Sequence, residues 1–160
     1  MASELGVQTI QHTNGTDALT IESDGRMVRD QVPRLLALRD PSVDVTALTQ
    51  IDGWRTPEFA VGISESSGTF TLAKGGLYQI SYHFIHQGNS GGVYFYHNGT
   101  RIFRSSYCEI VTSWATQNAS FIYEFEDGDT FDLRPQYNIT DLYGDSGNAT
   151  VGSISVLWVG

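Results

Sequence analysis

The chain has 160 residues, of which 40% are hydrophobic and only 17% charged. That suffices for one sizeable core, falls short of two full domains, and is too apolar for a disordered tail. Nine Lys and Arg against 18 Asp and Glu leave a net charge of −9, spread along the chain, so nucleic acid and anionic membranes are poor partners.

The single cysteine, Cys108, has no intrachain partner for a disulfide, which suits a reducing compartment. The N-terminal MASELGVQTIQ has neither the basic nor the apolar region of a secretory signal, and no apolar run approaches the roughly 20 residues of a membrane helix. The expectation is a protein made in the cytoplasm, without membrane insertion. Five N-x-S/T sequons, at Asn14, Asn98, Asn118, Asn138 and Asn148, therefore read as turn asparagines before strand threonines rather than as glycan sites.

Residues 7–22, VQTIQHTNGTDALTIE, alternate apolar and polar around Asn14-Gly15, a hairpin signature. Residues 30–40, DQVPRLLALRD, predict a short helix: Asp30 as cap, an apolar side of Leu35, Leu36 and Leu38, and Asp40-Pro41 as the stop. The first 42 residues are too few for a core of their own. From Val43 the pattern changes to short strands, expected at 45–51, 58–63, 69–72, 76–86, 92–103 (a hairpin around Asn98-Gly99), 115–125, 130–133 and 152–159. In GGLYQISYHFIH, Tyr78, Ile80, Tyr82 and Phe84 fall on one side of an extended chain, and Gln79, Ser81 and His83 on the other. Phe121, Tyr123 and Phe125 repeat the pattern in the strand at 115–125, as Trp158 does with Ile154 and Val156 at the end. These eight residues (Tyr78, Ile80, Tyr82, Phe84, Phe121, Tyr123, Phe125, Trp158) are assigned to core or subunit packing.

Signs of chemistry are few. There is no nucleophile elbow, P-loop, dinucleotide fingerprint or Cys/His zinc spacing. His83 and His86 are three apart on a strand and face opposite sides, so they cannot share a metal. Glu124, Glu126, Asp127 and Asp129 lie at a strand end and tight turn, where solvated acids are ordinary. Asp127, Asp129, Asp141 and Asp145 stand in oxygen-rich loops and are the candidates for calcium, the one cofactor entertained. Trp54 and Trp114, set among polar residues, and with them Tyr107 and Tyr143, are the candidates for surface or glycan contact. The expectation is a non-enzyme.

Four segments in order carry a family resemblance. SGTFTLAKGGLYQISYHF, VYFYHNGTRIF, ASFIYEFEDGDTFDLRPQY and LYGDSGNATVGSISVLWV together resemble the complement C1q globular head of the tumour necrosis factor-like superfamily, over about Val45 to Gly160. Ala73-Lys74 stands where that family commonly has proline, and no collagen-like period is present. The resemblance implies a ten-stranded, all-β jelly roll that assembles as a homotrimer. It also brings calcium into consideration, since some members bind it near the trimer axis.

A second stretch, IQHTNGTDALTIESDGRM, is similar to segments of tailed-phage fibre and other virion proteins. Together the two resemblances imply a bacteriophage structural protein displayed on the virion surface. Residues 1–42 would be an arm attaching to capsid or tail proteins, and residues 43–160 a trimeric knob. The short chain suits a capsid decoration (cement) protein or short head fibre. The alternative is a receptor-binding fibre tip whose knob loops recognise a host-surface polysaccharide.

Overall fold

In a computed structural model of the chain, the described residues are 9–11, 17–21, 23, 27–28, 32–39, 43–87, 91–108, 114–142 and 152–160. They fall into two units, Met1–Val32 and Pro33–Gly160. The first contains a three-stranded antiparallel sheet in the order β1 (Thr9–Gln11), β2 (Asp17–Ile21), β3 (Met27–Val28). The β1–β2 pairing matches the hairpin expected over 7–22, while its Asn14-Gly15 turn lies outside the described residues.

The second unit is a sandwich of two antiparallel sheets. One is five-stranded, in the order β11 (Thr100–Tyr107), β10 (Gly92–His97), β13 (Thr130–Pro135), β8 (Thr69–Leu72), β7 (Ile63–Ser66). The other runs β5 (Val43–Val45), β14 (Ile139–Leu142), β9 (Gly76–Gln87), β15 (Ser153–Trp158), β4 (Arg34–Leu38), β6 (Phe59–Val61), with β12 (Ala115–Phe125) on the remaining edge of β9. The twelve described strands exceed the expected ten; β5 and β6, three residues each, extend the larger sheet at its ends. No described residue is in a helix.

Alternation along β9 builds the core. Tyr78, Ile80, Tyr82 and Phe84 are all at most 3% exposed and face the second sheet. There Phe95 is a hub: its ring centroid lies 5.2 Å from Phe103, 5.1 Å from Phe121, 4.9 Å from Tyr123 and 5.9 Å from Phe131. The contacts with Phe121 and Tyr123 are edge-to-face, and such pairs add about 0.5–1.5 kcal/mol each beyond the area they bury. The Tyr78 hydroxyl donates to the Lys74 carbonyl at 2.5 Å, and burial pushes its pKa up to about 12. The Tyr82 hydroxyl donates to Ser106 Oγ at 2.8 Å, which in turn donates to the buried Gln117 at 2.8 Å.

Three expectations are corrected. The predicted helix over 30–40 is strand β4: Leu35 and Ala37 are fully buried while Leu36 and Leu38 are not, a period of two. Pro33 and Asp40-Pro41 leave too few residues for a stable helix, and pairing with β15 and β6 satisfies the backbone instead. The segment therefore belongs to the jelly roll. The strand expected over 45–51 stops at Val45, where a turn follows with Leu48 at φ 60°. The strand expected over 58–63 is broken at Gly62 (φ 62°), which sends β6 and β7 into different sheets.

Candidate interaction surface

Because successive side chains point to opposite faces, the inward stripe fixes an outward one. Across β12, β9 and β15 the register sets Ile122 opposite Gln79, and Gln79 opposite Leu157. The next row is Ser120, Ser81 and Ser155, with the Ser81 and Ser120 hydroxyls 2.8 Å apart. At the end of the sheet the Val159 N–H donates to the Leu77 carbonyl at 2.8 Å. A solvated face of an antiparallel sheet carries polar residues at such positions. Here Leu77 is 42% exposed, Ile122 61%, Leu157 44% and Val159 45%, and Phe59 on β6 lies farther across the same sheet. Large apolar groups thus ring Gln79, beside a row of small hydroxyls.

The residues assigned to core or subunit packing are not on this face. Tyr78, Ile80, Tyr82, Phe84 and Phe125 are buried within one subunit, and the half-buried Phe121, Tyr123 and Trp158 pack against the same core. The outward residues that interrupt the polar alternation, Ile122 and Leu157 above all, went unassigned. Their size at otherwise polar positions was the signal available.

A second cluster ties the β10–β11 turn to the β12–β13 turn. Asn98 takes φ 48° and Gly99 φ 74°, the left-handed pair a two-residue hairpin needs. Asn98 Nδ2 donates to Asp129 Oδ1 at 2.7 Å, the Glu126 N–H donates to Asp129 Oδ2 at 2.7 Å, and the Thr130 N–H donates to Asn98 Oδ1 at 2.8 Å. Asp127 accepts from the Gly75 N–H at 2.6 Å. His97 Nε2 lies 2.8 Å from Asp129 and its Nδ1 lies 3.1 Å from the Tyr123 hydroxyl. Both ring nitrogens are engaged, and neither faces a serine or cysteine nucleophile. His97, Asn98 and Asp129 line a recess of about 540 Å³ with Glu124, Phe125 and Glu126. The Asn98 amide, then the Glu126 N–H, hold the Asp129 carboxyl below its usual range.

Of the calcium candidates, Asp127 and Asp129 sit beside the start of β9, whereas Asp141 lies on β14, which pairs with the other end of β9. Eleven residues of extended chain separate those ends by roughly 35 Å, so the three carboxylates cannot share an ion. No group of three or more His, Cys, Asp or Glu among the described residues is arranged to hold a metal. Asp145 lies outside the described residues, as does Tyr143.

The aromatic contact candidates also separate. Trp54 is half-buried against Phe70 at 5.8 Å and Phe84 at 5.9 Å, its indole N–H donating to the Ile51 carbonyl at 3.0 Å. It packs against the core edge rather than standing free on the surface. Trp114 is 46% exposed and Tyr107 61%, the latter with the Arg104 guanidinium 4.7 Å from its ring centre. Of the sequons, Asn98 stands in a turn and Asn138 in the loop before β14, accepting the Ala47 N–H at 2.8 Å, but Asn118 is inside β12.

No protein-family model matches the sequence, and no curated protein matches it. Solved structures share its fold. The tumour necrosis factor Eiger from S. frugiperda matches with a TM-score of 0.65 and 11% identity, over 81% of this chain and 94% of that one. Murine APRIL matches at 0.63 and 10%, over 80% and 99%. The globular domain of zebrafish complement 1qA matches at 0.61 and 12%, over 81% and 98%. The chain has a jelly roll of the tumour necrosis factor and C1q type.

Proposed function

We propose that this chain is a non-enzymatic structural subunit that assembles as a homotrimer through the outward face of its seven-stranded sheet. The observation that carries the reading is the set of exposed apolar residues around Gln79: Leu77, Ile122, Leu157 and Val159. Water is a poor environment for four such side chains side by side, and burial between subunits removes them from it. The Ser81, Ser120 and Ser155 row is small enough for close approach of neighbouring sheets. Nothing at the His97–Asp129 cluster supplies a nucleophile, which favours a structural role over catalysis.

The setting proposed is the surface of a tailed-phage virion, as a decoration protein or short head fibre, with the N-terminal segment as the attachment arm. The support is the likeness of IQHTNGTDALTIESDGRM to virion segments. The test has two arms. Sedimentation equilibrium of the full chain should give three times the mass of one chain, and Ile122→Glu with Leu157→Glu should give one. Particles lacking the protein should bind the full chain and should not bind Pro33–Gly160. A monomeric wild type overturns the assembly, and equal binding by the shortened chain overturns the arm.

A further inference from the structure

The opposite surface, the outward face of the five-stranded sheet, has a different character. Register places Arg104, Tyr94 and Arg134 in one row across β11, β10 and β13, and Arg101, Tyr96 and Asp132 in the next. Each arginine lies over a tyrosine ring: Arg101 over Tyr94 at 4.8 Å, Arg104 over Tyr107 at 4.7 Å and Arg134 over Tyr96 at 4.0 Å. Such pairs occur about once per 70–80 residues in proteins, so three on one sheet face of a 160-residue chain is a concentration. Gly92 makes room for it, because a Cβ there would sit 2.1 Å from Arg104 Cδ. The Arg104 stem crosses the backbone at a position only glycine leaves open.

The charge on this face is only partly compensated among the described residues. Among the described residues, the one carboxylate at an outward position of these strands is Asp132, and it is committed to Arg134 by two bonds of 2.6 and 2.9 Å. Arg101 and Arg104 have no such partner among the described residues. Three of the chain's nine cationic side chains therefore gather on one face of a protein with net charge −9. At physiological salt the screening length is about 8 Å, so a ligand on this face meets the arginines before the acids elsewhere.

We propose that this face is a docking surface for an acidic polysaccharide, held by Arg101 and Arg104, with Arg134 kept in place beside them by Asp132. The guanidinium fork matches planar carboxylates and sulfates. Ser64, Ser66, Thr69 and Thr71 continue the same face as a flat field of hydroxyls, suited to sugar hydroxyls. Tyrosine and arginine anchor protein interfaces too, and it is the run of hydroxyls beside them that favours a sugar chain. Two or three cations are also too few to retain a nucleic acid against the chain's net charge. The proposal does not rest on the trimer, since the two faces belong to different sheets.

The test is binding of the full chain at low salt to immobilised polygalacturonate and heparin, with dextran as neutral control and poly-glutamate as the acidic-protein control. The expected result is salt-sensitive binding to one or both acidic polysaccharides, weakened at least about tenfold by Arg101→Gln and by Arg104→Gln. Lys74→Gln, which removes one charge elsewhere, leaves it unchanged. Binding to heparin alone identifies sulfate as the recognised group, and to polygalacturonate alone, carboxylate. No binding to either polysaccharide, undiminished binding by both arginine variants, or equal binding to dextran or poly-glutamate overturns the proposal.

Discussion

Two titratable side chains carry opposite kinds of pH dependence. His86 is fully buried, and among the described residues neither ring nitrogen has a well-formed side-chain hydrogen bond. Burial lowers its pKa below the ordinary 6.5. As pH falls through about 6.5 the unfolded chain takes up this proton and the folded chain does not, so stability is full above that pH and declines below it. His86→Leu should flatten this part of the stability curve in urea titrations between about pH 7 and 5, with stability at neutral pH unchanged or raised. Asp129 has its folded pKa depressed, so its contribution is present above about 3.8 and lost as pH falls below it. Asp129→Asn should cost about 1–3 kcal/mol at neutral pH, measured by chemical unfolding, and the difference from wild type should shrink towards about pH 3. The asparagine turn itself, Asn98-Gly99, was legible from the residues alone, because positive φ at two adjacent positions admits few side chains. The fate of Asp129 was not, since its side-chain partners Asn98 and His97 come from a hairpin about thirty residues away.

Among the elements, β4 was misread and β14 missed, for related reasons. RLLAL satisfies the composition of a helix as well as of a strand, and five residues cannot express either period decisively. Its neighbours decide: β15 pairs along its whole length, and Arg39 beyond it donates to the Asp52 carbonyl at 2.9 Å and the Leu142 carbonyl at 2.7 Å. Buried there, the Arg39 guanidinium has its pKa lowered to about 10. A chain beginning at Pro33 should keep the knob's β-rich circular dichroism and cooperative melt. One beginning at Val43 loses Leu35, Ala37 and Arg39 together, and should lose the cooperative melt. β14 was invisible because ITDL mixes polar and apolar residues across an irregular register. The longer strands β9 and β12 were read nearly to the residue, since eleven or twelve alternating positions leave one consistent face assignment.

For the whole molecule, the two sheets present unlike outward faces, one with exposed aliphatic groups and one with arginines and hydroxyls. The division suggests one face turned towards sister subunits and one towards the surroundings. Ile122→Glu with Leu157→Glu places two anions at the proposed seam, where three copies would bring six together. The expected outcome is a folded monomer by sedimentation, with its near-ultraviolet spectrum preserved because neither residue touches the core. A trimer that survives both substitutions would locate the interface elsewhere.

Period-two alternation, the turn asparagines and glycines and the length of the chain determined that this is an all-β sandwich with the aromatic stripe of β9 inside. Local sequence suffices there because side-chain direction in a strand follows from chain geometry alone. Tertiary structure decided what pairing decides: that RLLAL is a strand, that Trp54 packs against a core edge, and that Asp141 lies far from Asp127 and Asp129. It also set Ile122 and Leu157 on one row, and Arg101, Arg104 and Arg134 on one face. These residues are distant in sequence, and only the register between strands determines which of them become neighbours.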